Sequence, residues 1–440
     1  MPIPSSTRRR VLATSAIVGG LALLVSTVTA LFGQGREEAA ATRPEAAAES
    51  ALNRTISSAQ DKLRHSEHDP ATWAVLGSAY VEQARITADP GFYGKAQGAL
   101  EKSLAQQPEA NGPALIGLGA LANARHDFVT AKDWGERARA VLPDTVAVYG
   151  VLADAYTQLG DSAAATGAVQ RMLDLKPGLS AFTRASYDLE QHGQLDQARE
   201  ALSRALDDAT APADIVFCQY YLGELAYNSG QLDDASAHYE KGLAADPQDV
   251  ALRQGRAKIA FARGQVDPAL AEYRDIVSRV PLPQYLQEYA TLLRAAGRTD
   301  EATKQYDLLA AQEKLFAAAG VTDDLAAAMV AADRGDAAEA LRRAEAEWGR
   351  RHNPLVADAY AWALHLNGRD AEALGFADQA LALGWQHAGF TFHRGMILAS
   401  LGRADEAITA LDQALRLNPH FSPVDAPTAQ QTLQTLRSGR

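Results

Sequence analysis

Residues 216–249, VFCQYYLGELAYNSGQLDDASAHYEKGLAADPQD, place Leu222, Gly223, Ala226, Gly230, Ala235, Tyr239, Leu243 and Pro247 at positions 7, 8, 11, 15, 20, 24, 28 and 32 of a 34-residue unit. The first three share one helical face, and Asn228-Ser229-Gly230 permits a tight turn. Ala235, Tyr239 and Leu243 mark one face of a second helix, which Pro247 stops. The unit is therefore a helical hairpin. It cannot bury both apolar faces alone, so it requires neighbours of its own kind.

Those neighbours recur along the chain. Residues 146–179 carry Tyr149, Leu152, Ala153, Tyr156, Gly160, Ala165, Val169, Met172, Leu173 and Pro177. Residues 250–283 carry Ala257, Ala260, Gly264, Ala269, Tyr273, Ile276 and Pro281. Residues 388–421 carry Gly395, Leu398, Gly402, Ala407, Leu411, Ala414, Leu415 and Pro419. A generic helical bundle has no reason to repeat glycine at position 15 and alanine at position 20. Recurrence at a fixed period is the signature of a solenoid, in which each unit touches mainly its neighbours.

This pattern resembles the tetratricopeptide repeat family. The resemblance implies an all-α superhelix of about ten helical hairpins, protein or peptide binding, no catalysis of its own and no cofactor. The units fall at 70–108, 112–145, 146–178, 179–212, 216–249, 250–282, 283–316, 321–352, 354–387 and 388–421, with a C-terminal cap over 422–440. In the first unit Ala96, Leu100 and Leu104 arrive seven residues late, which predicts a longer loop over 87–94. An alanine-rich insertion at 317–320 shifts the register and predicts a softer joint near 309–323. The first helix of the eighth unit is poorly patterned.

Ahead of the array, residues 1–10 carry Arg8, Arg9 and Arg10, and residues 11–32 form an uncharged run of 22. That run is long enough to span a bilayer core of about 30 Å. A small-residue site at Val28-Thr29-Ala30 and the arginines preceding an apolar run also suit a cleaved export signal. The readings are a single-pass membrane anchor with the repeats outside the cytoplasm, or secretion after cleavage. Residues 33–69 read as a tether, with a capping helix from about Ser50 through Leu52, Ile56 and Leu63.

The formal charge of −12 disfavours nonspecific nucleic-acid binding, and no basic recognition stretch is present. The single Cys218 excludes an internal disulfide and reads as a buried small residue. Phosphate-loop, HExxH, GxSxG and CxxC motifs are absent from the sequence. Acidic pairs such as Asp233-Asp234 and Asp405-Glu406 follow the turn glycines, where helix N-termini favour them over any catalytic role. His352, His365, His387 and His393 lack ligand spacing within one helix and read as polar contacts rather than a metal site.

In the resembled family, first helices line the concave side. Carried onto this chain, the groove positions are Tyr187 and Glu190; Phe217, Tyr220, Glu224 and Tyr227; Lys258 and Phe261; and Thr291 and Arg294. A second cluster is Trp362, His365, Phe392 and Met396. The aromatic residues either line the groove as anchors or wedge between adjacent helices. No basic clamp for a terminal carboxylate is evident. The functional expectation is a non-catalytic scaffold at the cell envelope binding a peptide or protein in its groove. The alternative is an accessory or regulatory subunit of an envelope enzyme complex.

Overall fold

Eight helices open on an Asp or Asn side chain that satisfies one of their free amide groups. Asp69, Asn111, Asp127, Asp161, Asp249, Asp323, Asp336 and Asn353 each accept a bond from the backbone N–H three residues on. In the computed structural model, which describes residues 44–439 and side chains from 51, this produces 22 helices and no strand among the described residues. After α1 (Pro44–His65) come the pairs α2–α3 (Pro70–Thr87, Gly91–Gln106), α4–α5 (Gly112–Ala124, Phe128–Val141) and α6–α7 (Val146–Leu159, Ser162–Leu175). The middle of the stack is α8–α9 (Leu179–Gln191, Leu195–Asp207), α10–α11 (Pro212–Asn228, Leu232–Ala245) and α12–α13 (Val250–Ala262, Val266–Arg279). Then follow α14–α15 (Pro283–Ala295, Thr299–Ala318) and α16–α17 (Asp324–Asp333, Ala337–Trp348). The stack ends with α18–α19 (Pro354–Leu366, Asp370–Ala380), α20–α21 (Ala388–Ser400, Ala404–Leu417) and α22 (Asp425–Ser438).

One alanine per second helix makes the close crossing with its partner. Ala96, Ala131, Ala165, Ala198, Ala235, Ala269, Ala302, Ala340, Ala373 and Ala407 are all essentially without solvent exposure. Successive first helices pack on one another at α2–α4, α4–α6, α6–α8, α10–α12, α16–α18 and α18–α20, while successive second helices make no contact of that extent. The first helices therefore line the inside of the curve. At the ends, Leu63 and Ala59 of α1 pack on Leu76, and Ala429 and Leu433 of α22 pack on Phe392 and Leu411.

The curve closes on itself. The turn inside each of the first five pairs meets the connection that follows the pair five further along, giving five rungs of a seam. Ala88 packs against Val280 and Leu282. Thr322 N donates to Arg125 O at 3.4 Å, and the His126 ring lies 3.8 Å from Asp323. Asn353 Nδ2 donates to Gln158 O at 2.9 Å, and His352 N to Leu159 O at 3.4 Å. Gln386 Nε2 donates to Gly193 O at 3.1 Å. Tyr227 OH donates to His420 O at 3.0 Å, and Asn418 Nδ2 to Tyr227 O at 2.9 Å. Arg351 ties two rungs together: it pairs with Glu347, donates to Gln158 and lies 4.9 Å over the Phe128 ring.

Glycine is required at the third rung for two reasons. Gly160 has φ +86°, and a Cβ there would lie 2.6 Å from His352 O. Beyond the seam, Gly264 has φ +79° with nothing within 4 Å of such a Cβ.

Several sequence expectations need correction. Residues 87–94 are not a long loop: α2 continues to Thr87 and α3 starts at Gly91, so longer helices absorb the extra residues. Nor is 309–323 a loose joint. Residues up to Ala318 extend α15 to 20 residues, and 320–323 are held against Arg125 and His126 in the seam. The capping helix starts at Pro44 rather than near Ser50, carried by the strong helix formers of Glu45–Glu49. Residues 11–32 lie outside the described residues, and no helix among those described is long and apolar enough to cross a membrane.

Candidate functional site

Because each repeat advances the chain by about 34 residues, polar groups at equivalent positions of successive first helices come face to face on the inner surface. Glu224 of α10 accepts both Lys258 Nζ bonds, at 2.6 and 2.7 Å, from the next first helix. Its carboxylate also accepts from Tyr239 OH at 2.6 Å. One repeat further, Gln254 donates to Glu288, which accepts from Tyr273 OH at 2.8 Å. Arg294 meets Asp333 at 3.2 Å, and His393 Nδ1 lies 2.9 Å from both oxygens of Asp358. Charged groups removed from water are tolerated when paired in this way.

The carboxyls on this face are shifted upward where burial outweighs their partners. Burial pushes Glu190 up to about 7, against hydrogen bonds from Trp385 and Asn228 and with the Glu224 charge adding to the rise. Asp333 is pushed up to about 6 by burial, with Arg294 opposing. Glu288 also rises through burial, with Lys258 opposing. The inner surface thus holds carboxyls that stay protonated closer to neutrality than solvent-exposed ones.

The groove candidates divide into two sets. Tyr187, Glu190, Phe217, Tyr227, Lys258, Phe261, Arg294 and Trp362 are half-buried. Tyr220 and Phe392 are not groove anchors: they are 4% and 1% exposed and sit among Tyr221 and Tyr239, and against Phe421 and Leu411, respectively. Glu224 is 9% exposed and committed to Lys258 and Tyr239. Lys258 is equally committed, its ammonium also lying 4.8 Å over the Tyr227 ring. Glu224 and Lys258, both read from sequence as groove positions, therefore form an ion pair with each other instead of standing free for a partner.

Tyr187 meets the edge of Trp385 at 6.0 Å across the seam, and Phe217 packs on Tyr221 at 4.6 Å. Phe261 packs against the Ala257–Leu286 core, and Thr291 hydroxyl bonds back to Gln287 O at 3.0 Å. Trp362 lies between two imidazoles, His365 at 4.8 Å and His393 at 4.2 Å, with Met396 in the same cluster. His365 is itself paired with Asp370. Cys218 is buried, and its thiol is pushed up to about 12 by that burial.

Four inner-face residues were missed from sequence: Gln254, Glu288, Asp333 and Asp358. The spacing of 34 that links 224 to 258 also links 254 to 288, so a search for polar residues one period apart would have found the second pair.

Family models described as tetratricopeptide repeat match residues 183–250, 226–292 and 389–421. No match is found among curated proteins. Among solved structures, the chain is similar to a tetratricopeptide repeat protein from Parabacteroides merdae at 19% identity, over 58% of this chain and 97% of that one, with a TM-score of 0.35. It is similar to the APC/C hetero-tetramer Cut9–Hcn1 at 12% identity, over 90% and 96%, with a TM-score of 0.40. It is also similar to yeast Tom70 at 12% identity, over 89% and 93%, with a TM-score of 0.37. Repeats of this type are typically protein–protein interaction scaffolds and generally non-catalytic.

Proposed function

We propose that this chain is a non-catalytic scaffold that binds a protein or peptide partner along the inner face of its superhelix, held at the outer side of a cell membrane by residues 11–32. The observation that carries the reading is the continuity of the inner face. Ten first helices present one curved surface, and half-exposed aromatic residues, Trp362 foremost, stand on it beside imidazole and carboxylate groups. An aromatic anchor flanked by hydrogen-bonding groups is the usual centre of a protein-binding surface. The net charge of −12 favours a partner with basic groups over an acidic partner or nucleic acid.

Affinity capture from detergent-solubilised membranes, with the N-terminal segment retained, tests the reading. Wild type retains a specific protein, and Trp362→Ala weakens that complex by about 2 kcal/mol with an unchanged melting curve. Equal capture by wild type and variant would move the binding surface elsewhere. A chain found wholly in the soluble fraction with its mature N-terminus after residue 30 would end the anchor reading.

A further inference from the structure

Closure of the superhelix creates a cavity that no single repeat could form. It lies between the inner sides of α2 and α4 and those of α14, α15 and α16, and its volume is about 570 Å³. Ile116, Ala120, Leu282, Leu309, Phe316 and Val330 supply much of an apolar wall. Met329 of α16, the shortest helix among those described, lines the cavity and is 49% exposed. Volume and lining both fall in the range of small-molecule sites.

The polar groups around it define the ligand. Arg85 is closed by a bidentate pair with Glu82, at 2.9 and 2.6 Å. Arg343 is closed by Asp324, Glu339 and Glu313, at 2.7 to 2.8 Å. Five carboxylates and three guanidiniums line the site, so an anionic head meets a negative surround. What stays unsatisfied is neutral: Gln284 Nε2, Tyr306 OH and His126 Nδ1 are buried without a hydrogen-bond partner, and all three residues line the cavity. Unpaired buried donors and acceptors cost free energy, which a ligand hydrogen bond recovers.

We propose that this cavity binds a small uncharged amphipathic molecule, an apolar chain bearing a neutral hydrogen-bonding head such as a long-chain alcohol or amide. The chain lies along the α4 and α14–α15 wall, and the head accepts from the Gln284 amide. A charged head is disfavoured because Arg85 and Arg343 are already paired, Asp323 and Asp336 accept from helix N-termini, Arg334 lies over the Tyr306 ring, and the head's own hydration is lost on entry.

The test uses the full chain and the neutral fluorescent dye Nile red. Saturable binding that falls at least about tenfold in Ala327→Trp, which fills the site from α16, locates the dye. Ala120→Phe fills it from the opposite wall and serves the same purpose if the first variant melts early. Dodecanol displaces the dye at least about tenfold better than dodecanoate or dodecyltrimethylammonium, and Gln284→Leu removes about tenfold of that advantage. Equal dye binding by wild type and both filled variants overturns the proposal. So does better displacement by dodecanoate, or by a capped tri-leucine peptide, which would make the cavity an anion or peptide site instead.

Discussion

Replacing Gly160 by alanine should break one rung of the seam, whereas the same change at Gly264 should not. Both positions are left-handed, at φ +86° and +79°, so each alanine costs about 1–2 kcal/mol of backbone strain. The surroundings separate them. At Gly160 the new Cβ would lie 2.6 Å from His352 O and 2.8 Å from its carbonyl carbon, backbone atoms that cannot rotate aside. Overpacking of that kind adds about 1–3 kcal/mol. If the rung parts to relieve it, the Asn353 bond to Gln158 O is lost, at about 1 kcal/mol. The expected total is about 2–5 kcal/mol for Gly160→Ala against about 1–2 kcal/mol for Gly264→Ala. Urea titration gives the totals, and hydrogen exchange of 351–354 reports the rung. Equal midpoints for the two variants, with unchanged exchange at 351–354, would refute the seam contact.

Lys258→Met should leave Glu224 as a buried carboxylate with only Tyr239 donating to it, at a cost of about 3 kcal/mol, readable as a lowered urea midpoint; a neutral result would return Lys258 to the list of groove residues. Arg351→Met should cost about 3 kcal/mol because it leaves buried Glu347 with Arg350 as its remaining cation, and adding Glu347→Leu should recover part of the loss in the same titration. Glu190 has a folded-state value of about 7, above the unfolded value of about 4.3, so its contribution is present at acid pH and is lost as pH rises toward 7. Glu190→Gln copies the protonated form and should match wild type below about pH 4 and gain on it as pH rises toward 8, by about 1–3 kcal/mol; an advantage that shrinks with rising pH would contradict this sign.

What sequence periodicity could reveal was the local part of this structure. Gly230 before α11, Ala235 at its crossing and Tyr239 under Gly223 act within one hairpin, and a period of 34 repeats them. The closure is not local. Nothing near Gly160 or His352 in sequence announces that their backbones meet, and partners 193 residues apart, such as Tyr227 and His420, share no pattern. The groove candidates suffered for the same reason. Helical projection places Tyr220 toward the inner side, but its ring is taken up by Tyr221 and Tyr239. Lys258 and Glu224 were both placed on the inner face, and their bonding to each other follows from the 34-residue spacing. Lengthened α2 and α15 were misread as a loop and a joint because a shift in register does not by itself distinguish longer helices from an inserted loop.

The central claim is closure of the superhelix, and a distance across the fourth rung measures it most directly. Spin labels at exposed Gln194 and Ala382 flank the contact between Gly193 and Gly384, while buried Cys218 stays unlabelled. Double electron–electron resonance on the full chain should give one narrow, short distance population, and Gly193→Ala should broaden it. A broad distribution at long distance in the unaltered seam would mean an open spiral, and the rungs would not exist in solution.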